Sequence, residues 1–179
     1  ADPELGEDGE RQPPNNWKSV FGGSSWQWHE GRQQYYLHNF DKAQPDLNMH
    51  NPDVQEAMLG EVEYWLKKGV KGLRLDAINF LCHDLELRDC PVKSGTAGNS
   101  YSELEHIYDK NRPETLDFIR RLRKLTDQYP GAFMVGEIGD DNGMGIAKSY
   151  TNGDDLLHTA YNFSLFDRSL SAGYIKGVF

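Results

Sequence analysis

The chain has 179 residues, of which 37% are hydrophobic, and it carries a formal net charge of −9 at pH 7. That length suffices for one ordinary domain, and the negative charge argues against a surface that binds nucleic acid or an anionic membrane. No apolar run reaches the length that spans a bilayer, so we expect neither nucleic acid nor membrane as a partner, and the charge is compatible with a neutral or cationic small ligand.

The first 48 residues are rich in loop formers and aromatic side chains. Residues 1–16 are acidic and contain Gly and Pro, which predicts a surface loop or a frayed end. Between 17 and 28 we favour a loop packed by its own aromatic rings over an aromatic platform for a sugar ring. Residues 34–40 have the composition of a short strand. The aromatic residues of the loop are Trp17, Phe21, Trp26 and Trp28.

A well-marked helix follows. Asn51 suits the N-cap position and Pro52 the first helical position. Two cations and a glycine at 67–69 are typical of a helix end. Apolar residues recur at helical spacing, which predicts one apolar face. This face comprises Val54, Met58, Val62, Trp65 and Leu66.

A short buried strand is predicted at 70–76, directly after this helix. Side chains alternate along a strand, so Arg74 and Asp76 point to one side and their apolar neighbours to the other. A buried charge must be paired, and a nearby Arg can hold an Asp ionised, as a nucleophile requires. A purely structural salt bridge at a strand end is the alternative.

Residues 78–112 form a connection whose length suggests a function. Its two cysteines, Cys82 and Cys90, have no metal-binding spacing around them. We favour two free thiols in a cytosolic protein over a disulfide, and we expect a cytoplasmic location. No acidic cluster has the spacing of a calcium site, so we expect neither a metal nor a cofactor.

The remaining chain alternates helices and strands. The pattern predicts a helix at 113–129, a buried strand at 132–138, a short helix around 144–150, a strand at 156–166 and a final helix-like segment. Such alternation is typical of an α/β protein with a parallel sheet, either a barrel or an open sheet. No glycine-rich phosphate loop opens any helix, which disfavours nucleotide binding.

Two carboxylates end successive predicted strands, Asp76 and Glu137. Adjacent parallel strands lie about 4.8 Å apart, so both side chains could reach one substrate. Paired carboxylates are the core of glycoside hydrolysis, in which one attacks the anomeric carbon and the other protonates the leaving oxygen. Arg74 should keep Asp76 ionised, whereas an apolar strand lets Glu137 hold its proton.

Several segments resemble the α-amylase family, glycoside hydrolase family 13. Residues 72–76 (GLRLD) are similar to its nucleophile motif and residues 135–137 (VGE) to its acid/base motif. Residues 44–48 (QPDLN) match a signature of its oligo-1,6-glucosidase and α-glucosidase branch. Residues 21–26 and 35–40 resemble the small B domain of that branch.

The resemblance implies a partial (β/α)8 TIM barrel, about strands 4–6, with part of the inserted B domain. Residues 1–48 would be the B-domain portion and residues 49–179 the barrel portion. It implies a retaining α-glucosidase that acts on maltose- or isomaltose-type oligosaccharides, with Asp76 as nucleophile and Glu137 as acid/base. The implied substrate-binding residues are Arg74, Phe21, Phe40, Ala77 and Gly139.

The residue after the nucleophile is often Val in α-1,6-acting members of this branch, so Ala77 favours α-1,4 bonds. Two family motifs are absent, an early Asp with an Asn-His pair and a later His-Asp motif with a third carboxylate. We therefore expect an internal fragment that is inactive alone.

Other functions stay open. Alternatives are an oligo-1,6-glucosidase, a glucosyl-transferring or isomerising enzyme such as a trehalose synthase or sucrose isomerase, a non-catalytic relative of the transporter heavy-subunit type, and an unrelated α/β protein.

Overall fold

The computed structural model describes residues 4–5, 9–163 and 171–178. The chain divides into two compact units, one of Ala1–Asn48 with Cys82–Arg112 and the other of Met49–Leu81 with Pro113–Phe179. The boundary predicted after residue 48 is therefore an edge of the first unit. Residues 82–112, expected in the barrel portion, group instead with residues 1–48, because backbone carbonyls of this loop accept hydrogen bonds from side chains near residue 17.

Short antiparallel strands form the regular structure of the first unit. β3 (Trp26–His29) pairs with β4 (Gln34–Leu37), which is the first part of the strand predicted at 34–40. The prediction of a loop through residue 28 was wrong, since β3 depends on its partner strand; the rings of Trp28 and Tyr35 lie 5.2 Å apart across the pair. The remaining strands are β1 (Glu4–Leu5) and β2 (Arg11–Gln12), which pair with each other.

Indole rings form the centre of this unit. Trp17 and Trp26 are buried, with exposed fractions of 1% and 7%, and their rings stack 6.0 Å apart. Their ring N–H groups donate to the backbone oxygen of Arg88 and to the side chain of Asn15, so neither buried donor lacks a partner. The packing interpretation is confirmed for these two residues but is wrong for Phe21, which is 70% exposed.

Both cysteines of the first unit are free and buried. Burial raises the pKa of the Cys90 thiol to about 12, and the nearby Asp109 carboxylate acts in the same direction. A thiol with such a pKa is almost entirely protonated at neutral pH and therefore a poor nucleophile. The prediction of two free thiols is confirmed.

The first helix of the second unit begins as predicted. α1 spans Pro52–Lys67, and the side chain of Asn51 accepts a hydrogen bond of 2.9 Å from the backbone N–H of Asp53. Its apolar face is only partly covered by the described residues. Leu66 is buried, whereas Trp65 is 53% exposed.

A parallel three-stranded sheet is the centre of the second unit. β5 (Gly72–Leu75) and β7 (Thr159–Asn162) flank the central β6 (Phe133–Ile138). The parallel sheet is confirmed, although β7 is shorter than the strand predicted at 156–166, whose last three residues lie outside the described part. The helices are α2 (Pro113–Thr126), α3 (Gly143–Thr151) and α4 (Ala172–Val178).

Close packing explains the glycine in the middle of β6. A Cβ atom at Gly136 would meet Leu157 Cδ1 at 2.4 Å and Ile78 Cγ2 at 3.2 Å. Both neighbours are almost fully buried and have little freedom to move. The absence of a side chain therefore lets Leu157 and Ile78 pack against the strand immediately before Glu137.

Candidate active site

Strand register brings the two predicted catalytic carboxylates level with each other. The pairing of β5 with β6 runs to Leu75 opposite Gly136, so Asp76 and Glu137 are the next positions along the same two strands. Glu137 in turn lies opposite Tyr161 of β7. Paired positions of a parallel sheet present their side chains to the same face. Three functional side chains thus form a row at the carboxyl end of the sheet.

Arg74 connects the two carboxylates. One guanidinium nitrogen, Nη1, donates to Asp76 Oδ1 at 2.6 Å, and Nη2 donates to Glu137 Oε2. Residues 74 and 76 project to the same side of the strand, as the alternation predicted, while Leu73 and Leu75 are half-buried on the other. β5 itself was predicted to be buried, but Arg74 is 50% and Asp76 77% exposed. The pair is therefore partly solvated, because the described part of the chain covers only one side of the strand.

Asp76 and Glu137 also hydrogen-bond to each other, which makes them chemically unequal. The hydrogen bond from Glu137, with the one from Arg74, holds the pKa of Asp76 below its ordinary value. The hydrogen bond to Asp76 raises the pKa of Glu137, and burial raises it further, whereas the positive charge of Arg74 lowers it. Asp76 is thus the group that ionises first and Glu137 the group that retains a proton, as the sequence predicted.

Ala77 has an unusual backbone conformation. Its φ of 41° and ψ of 41° lie in the left-handed region, which non-glycine residues seldom occupy. Its backbone N–H donates to Glu137 and opposes the rise in the pKa of that carboxyl. Backbone strain of this kind persists where surrounding contacts enforce it, and it clusters at functional sites. The turn after Asp76 therefore contacts the second carboxylate through its main chain.

Tyr161 is a site residue that the sequence analysis did not identify. Its ring centroid lies 5.8 Å from Arg74 Cζ, within the range of a cation–π interaction, and its side chain is 44% exposed. The signal that could have found it is strand register, because the pairing of β7 with β6 sets Tyr161 opposite Glu137. Register between distant strands was not available from the pattern alone.

The other predicted substrate-binding residues lie in two places. Gly139 follows β6, and its carbonyl accepts a hydrogen bond of 3.1 Å from Asn79 Nδ2. Apart from its chain neighbours, no described residue has an atom within 4 Å of the position that a Cβ would take. Phe21 and Phe40 belong to the first unit and contact each other edge to face, with ring centroids 5.7 Å apart. Their predicted role at the aglycone side of a pocket stays a prediction.

Neither a metal cluster nor a membrane helix occurs among residues 4–5, 9–163 and 171–178. No three His, Cys, Asp or Glu side chains there are grouped so that they could hold a metal ion. None of the described helices is both long and apolar enough to cross a bilayer. The side chains of the row are two carboxyl groups and a phenol, and the guanidinium of Arg74 lies beside them.

Comparison with known families agrees with these motifs. The family described as "Alpha amylase, catalytic domain" matches residues 2–174. The chain belongs to the α-amylase family. A (β/α)8 barrel fold, present here in part, is thereby confirmed as the fold class, and the three parallel strands β5, β6 and β7 are part of it.

Individual relatives in this family share substantial identity with the chain. A "Probable alpha-glucosidase" of Rhizobium meliloti (strain 1021) is 54% identical over 160 residues, which are 84% of this chain and 29% of the relative. "Maltase 1" of Drosophila virilis is 43% identical over 166 residues, 88% of this chain and 26% of the relative. The crystal structure of the α-glucosyl transfer enzyme XgtA matches with a TM-score of 0.87 and 48% identity, covering 99% of this chain and 34% of that one. The chain thus spans about a third or less of the length of these relatives.

Replacement of Arg74 by Lys tests the bridge between the carboxylates. An ammonium is a point charge that lacks the planar fork of a guanidinium, so Arg74→Lys should weaken the hydrogen bond to Asp76 and raise the pKa of that carboxyl towards its ordinary value. Carboxyl-carbon NMR titration of the protein at its full natural length measures this pKa.

The matched control is Arg120→Lys. Arg120 also contacts two carboxylates, Asp117 at 2.9 Å and Asp155 at 3.0 Å, and it lies on α2. This variant should leave the titration of Asp76 unchanged. An unaltered pKa of Asp76 in Arg74→Lys would contradict the assigned role of the guanidinium.

Proposed function

We propose that this chain carries the nucleophile and the acid/base of a retaining α-glucosidase that releases glucose from the non-reducing end of short α-glucosides such as maltose. The observation that supports this best is that Asp76 and Glu137 both accept hydrogen bonds from the guanidinium of Arg74 and have pKa values shifted in opposite directions. The names of the relatives, an α-glucosidase and a maltase, support the substrate class.

The proposed first step uses the carboxyl pair in its resting protonation state. Ionised Asp76 attacks the anomeric carbon and forms a glycosyl ester, while Glu137 donates its proton to the departing glycosidic oxygen. The pKa shifts favour these forms, because the same hydrogen bond lowers the pKa of Asp76 and raises that of Glu137. Arg74 holds the attacking carboxylate towards the substrate and stabilises its charge until the bond forms.

In the second step the roles reverse. Glu137, now ionised, takes a proton from water, the water oxygen attacks the anomeric carbon, and Asp76 leaves as a carboxylate. The N–H of Ala77 stabilises the ionised form of Glu137 that this step needs. An inverting mechanism requires about 6.5–9.5 Å between the carboxyl groups to admit a water, and the binding of both groups by one guanidinium supports the shorter separation of a retaining enzyme.

Transfer of glucose to a sugar acceptor is the second candidate, favoured by the likeness to an α-glucosyl transfer enzyme. The same residues would form the same glycosyl ester, and only the second step would differ, with a sugar hydroxyl in place of water.

A non-catalytic relative is disfavoured because both carboxyl groups are present and in contact. Net charge −9 gives no support to nucleic acid as a partner.

The stereochemistry of the product tests the proposed mechanism. Given an aryl α-glucoside, whose leaving group is not a sugar, the protein at its full natural length should release α-glucose first, which proton NMR observes before mutarotation. Glu137→Gln should lower the rate on maltose by about 10²–10⁴-fold, since it removes the proton donor. Asp76→Asn should remove activity because an amide is no nucleophile.

Asp117→Asn is the control for these variants. Asp117 is also a largely exposed aspartate paired with an arginine, and exposed ion pairs contribute little to stability, so activity should stay within about twofold. Initial release of β-glucose from the aryl α-glucoside would rule out the retaining mechanism, and full activity of Asp76→Asn would rule out its nucleophile. New oligosaccharides in place of glucose would favour transfer.

Linkage preference follows from Ala77. We infer a preference for α-1,4 bonds, supported by a small residue directly after Asp76 whose left-handed backbone disfavours a β-branched side chain such as Val. The expected result is a higher kcat/KM for maltose than for isomaltose. The reverse order would assign the protein to the α-1,6-acting group.

We also predict that residues 1–179 by themselves are inactive. In the part of the chain that the structure describes, β5 and β7 are both edges of a three-stranded sheet, and unpaired edges are unstable and prone to association. The sequence also lacks the two family motifs named above. This chain alone should show no cooperative thermal transition and release no glucose from maltose; a cooperative transition together with cleavage would refute the prediction.

A further inference from the structure

The turn after β5 packs directly against the end of β6. Residues Ile78–Phe80 form a single 3₁₀ turn, in which Ile78 is 4% and Asn79 0% exposed. Ile78 Cγ2 lies 3.2 Å from the position that a Cβ of Gly136 would take. The segment that follows the nucleophile is therefore buried against the strand that carries Glu137.

A side-chain hydrogen bond joins this turn to the exit of β6. Asn79 Nδ2 donates to the carbonyl oxygen of Gly139 at 3.1 Å, across 60 positions of sequence. A buried N–H donor without a partner is costly, so this contact is favoured where it stands. Gly139 is two residues beyond Glu137, and its main-chain position constrains where that carboxyl group can lie.

Two hydrogen bonds from one turn thus flank the acid/base. The N–H of Ala77 donates to Glu137 itself, and Asn79 holds the carbonyl of Gly139 beyond it. Asp76 directly precedes this turn. Movement of the turn would therefore displace the two carboxyl groups relative to each other.

We propose that Asn79 is a positioning residue for proton transfer, which fixes Glu137 relative to Asp76 through the carbonyl of Gly139. This inference depends on the function proposed above. Proton donation to a leaving oxygen requires hydrogen-bond geometry, and a displacement of about 1 Å can cost roughly 10²-fold in rate. Asn79 acts only by holding the main chain, without contact with substrate.

Two substrates separate positioning of the acid from general damage. Maltose has a poor leaving group that needs the proton of Glu137, whereas fluoride leaves α-glucosyl fluoride with little need of one. Asn79→Asp keeps the size of the side chain but replaces the donor with a carboxylate that repels the carbonyl of Gly139. Asn79→Ala removes the contact without adding charge. Both variants are made in the protein at its full natural length.

Asn15→Asp is the matched control. Asn15 is also buried, 8% exposed, and its Nδ2 donates at 3.0 Å to the carbonyl of Leu87, 72 positions away. The control should lower Tm while changing kcat/KM on the two substrates by the same factor. Asn79→Asp and Asn79→Ala should lower kcat/KM on maltose by about 10²-fold and on α-glucosyl fluoride by at least about tenfold less.

The remaining outcomes would overturn either this inference alone or the proposed function as well. Equal losses on both substrates, or failure of both Asn79 variants to fold by circular dichroism, would assign Asn79 a structural role and overturn the inference while leaving the proposed function intact. Absence of glucose release from either substrate by the unsubstituted protein would overturn the proposed function and this inference with it.

Discussion

One guanidinium between two carboxyl groups is the interaction on which the site depends. Arg74 reaches Asp76 on its own strand and Glu137 on the next, which is possible only because the register of β5 and β6 sets these residues level. All three side chains retain some solvent contact, so their ion pairs contribute little to folding stability. Their effect is on the chemistry of the site, since the shared hydrogen bonds lower the pKa of Asp76 and raise that of Glu137.

Much of this site could be predicted because its signals are local. Alternation along a strand places Arg74 and Asp76 together, and strand–helix–strand order places Glu137 at the same sheet edge. The start of α1 was equally local, because Asn51 caps the helix and Pro52 opens it. Motifs at 72–76 and 135–137 led to the family that the comparison with known proteins then established.

Other features depend on contacts between residues that are distant in the sequence, and the spacing of residue types along the chain does not reveal such contacts. β3 exists as a partner of β4, residues 82–112 group with the N-terminal unit through long-range hydrogen bonds, and Tyr161 joins the site through the register of β7. The left-handed backbone of Ala77 is enforced by its surroundings, since alanine has no intrinsic preference for it. Hydrophobic spacing predicted the apolar face of α1 but not that Trp65 would be 53% exposed.

The most direct test of the central claim is to trap the glycosyl ester. A fluorinated α-glucosyl donor whose ester hydrolyses slowly is incubated with the protein at its full natural length, and the labelled peptide is sequenced by mass spectrometry. We predict a single glucosyl adduct on Asp76, because the hydrogen bonds from Glu137 and Arg74 make it the ionised member of the pair. An adduct on Glu137 or on another residue would contradict the assignment, and turnover without any adduct would contradict covalent catalysis by this carboxylate.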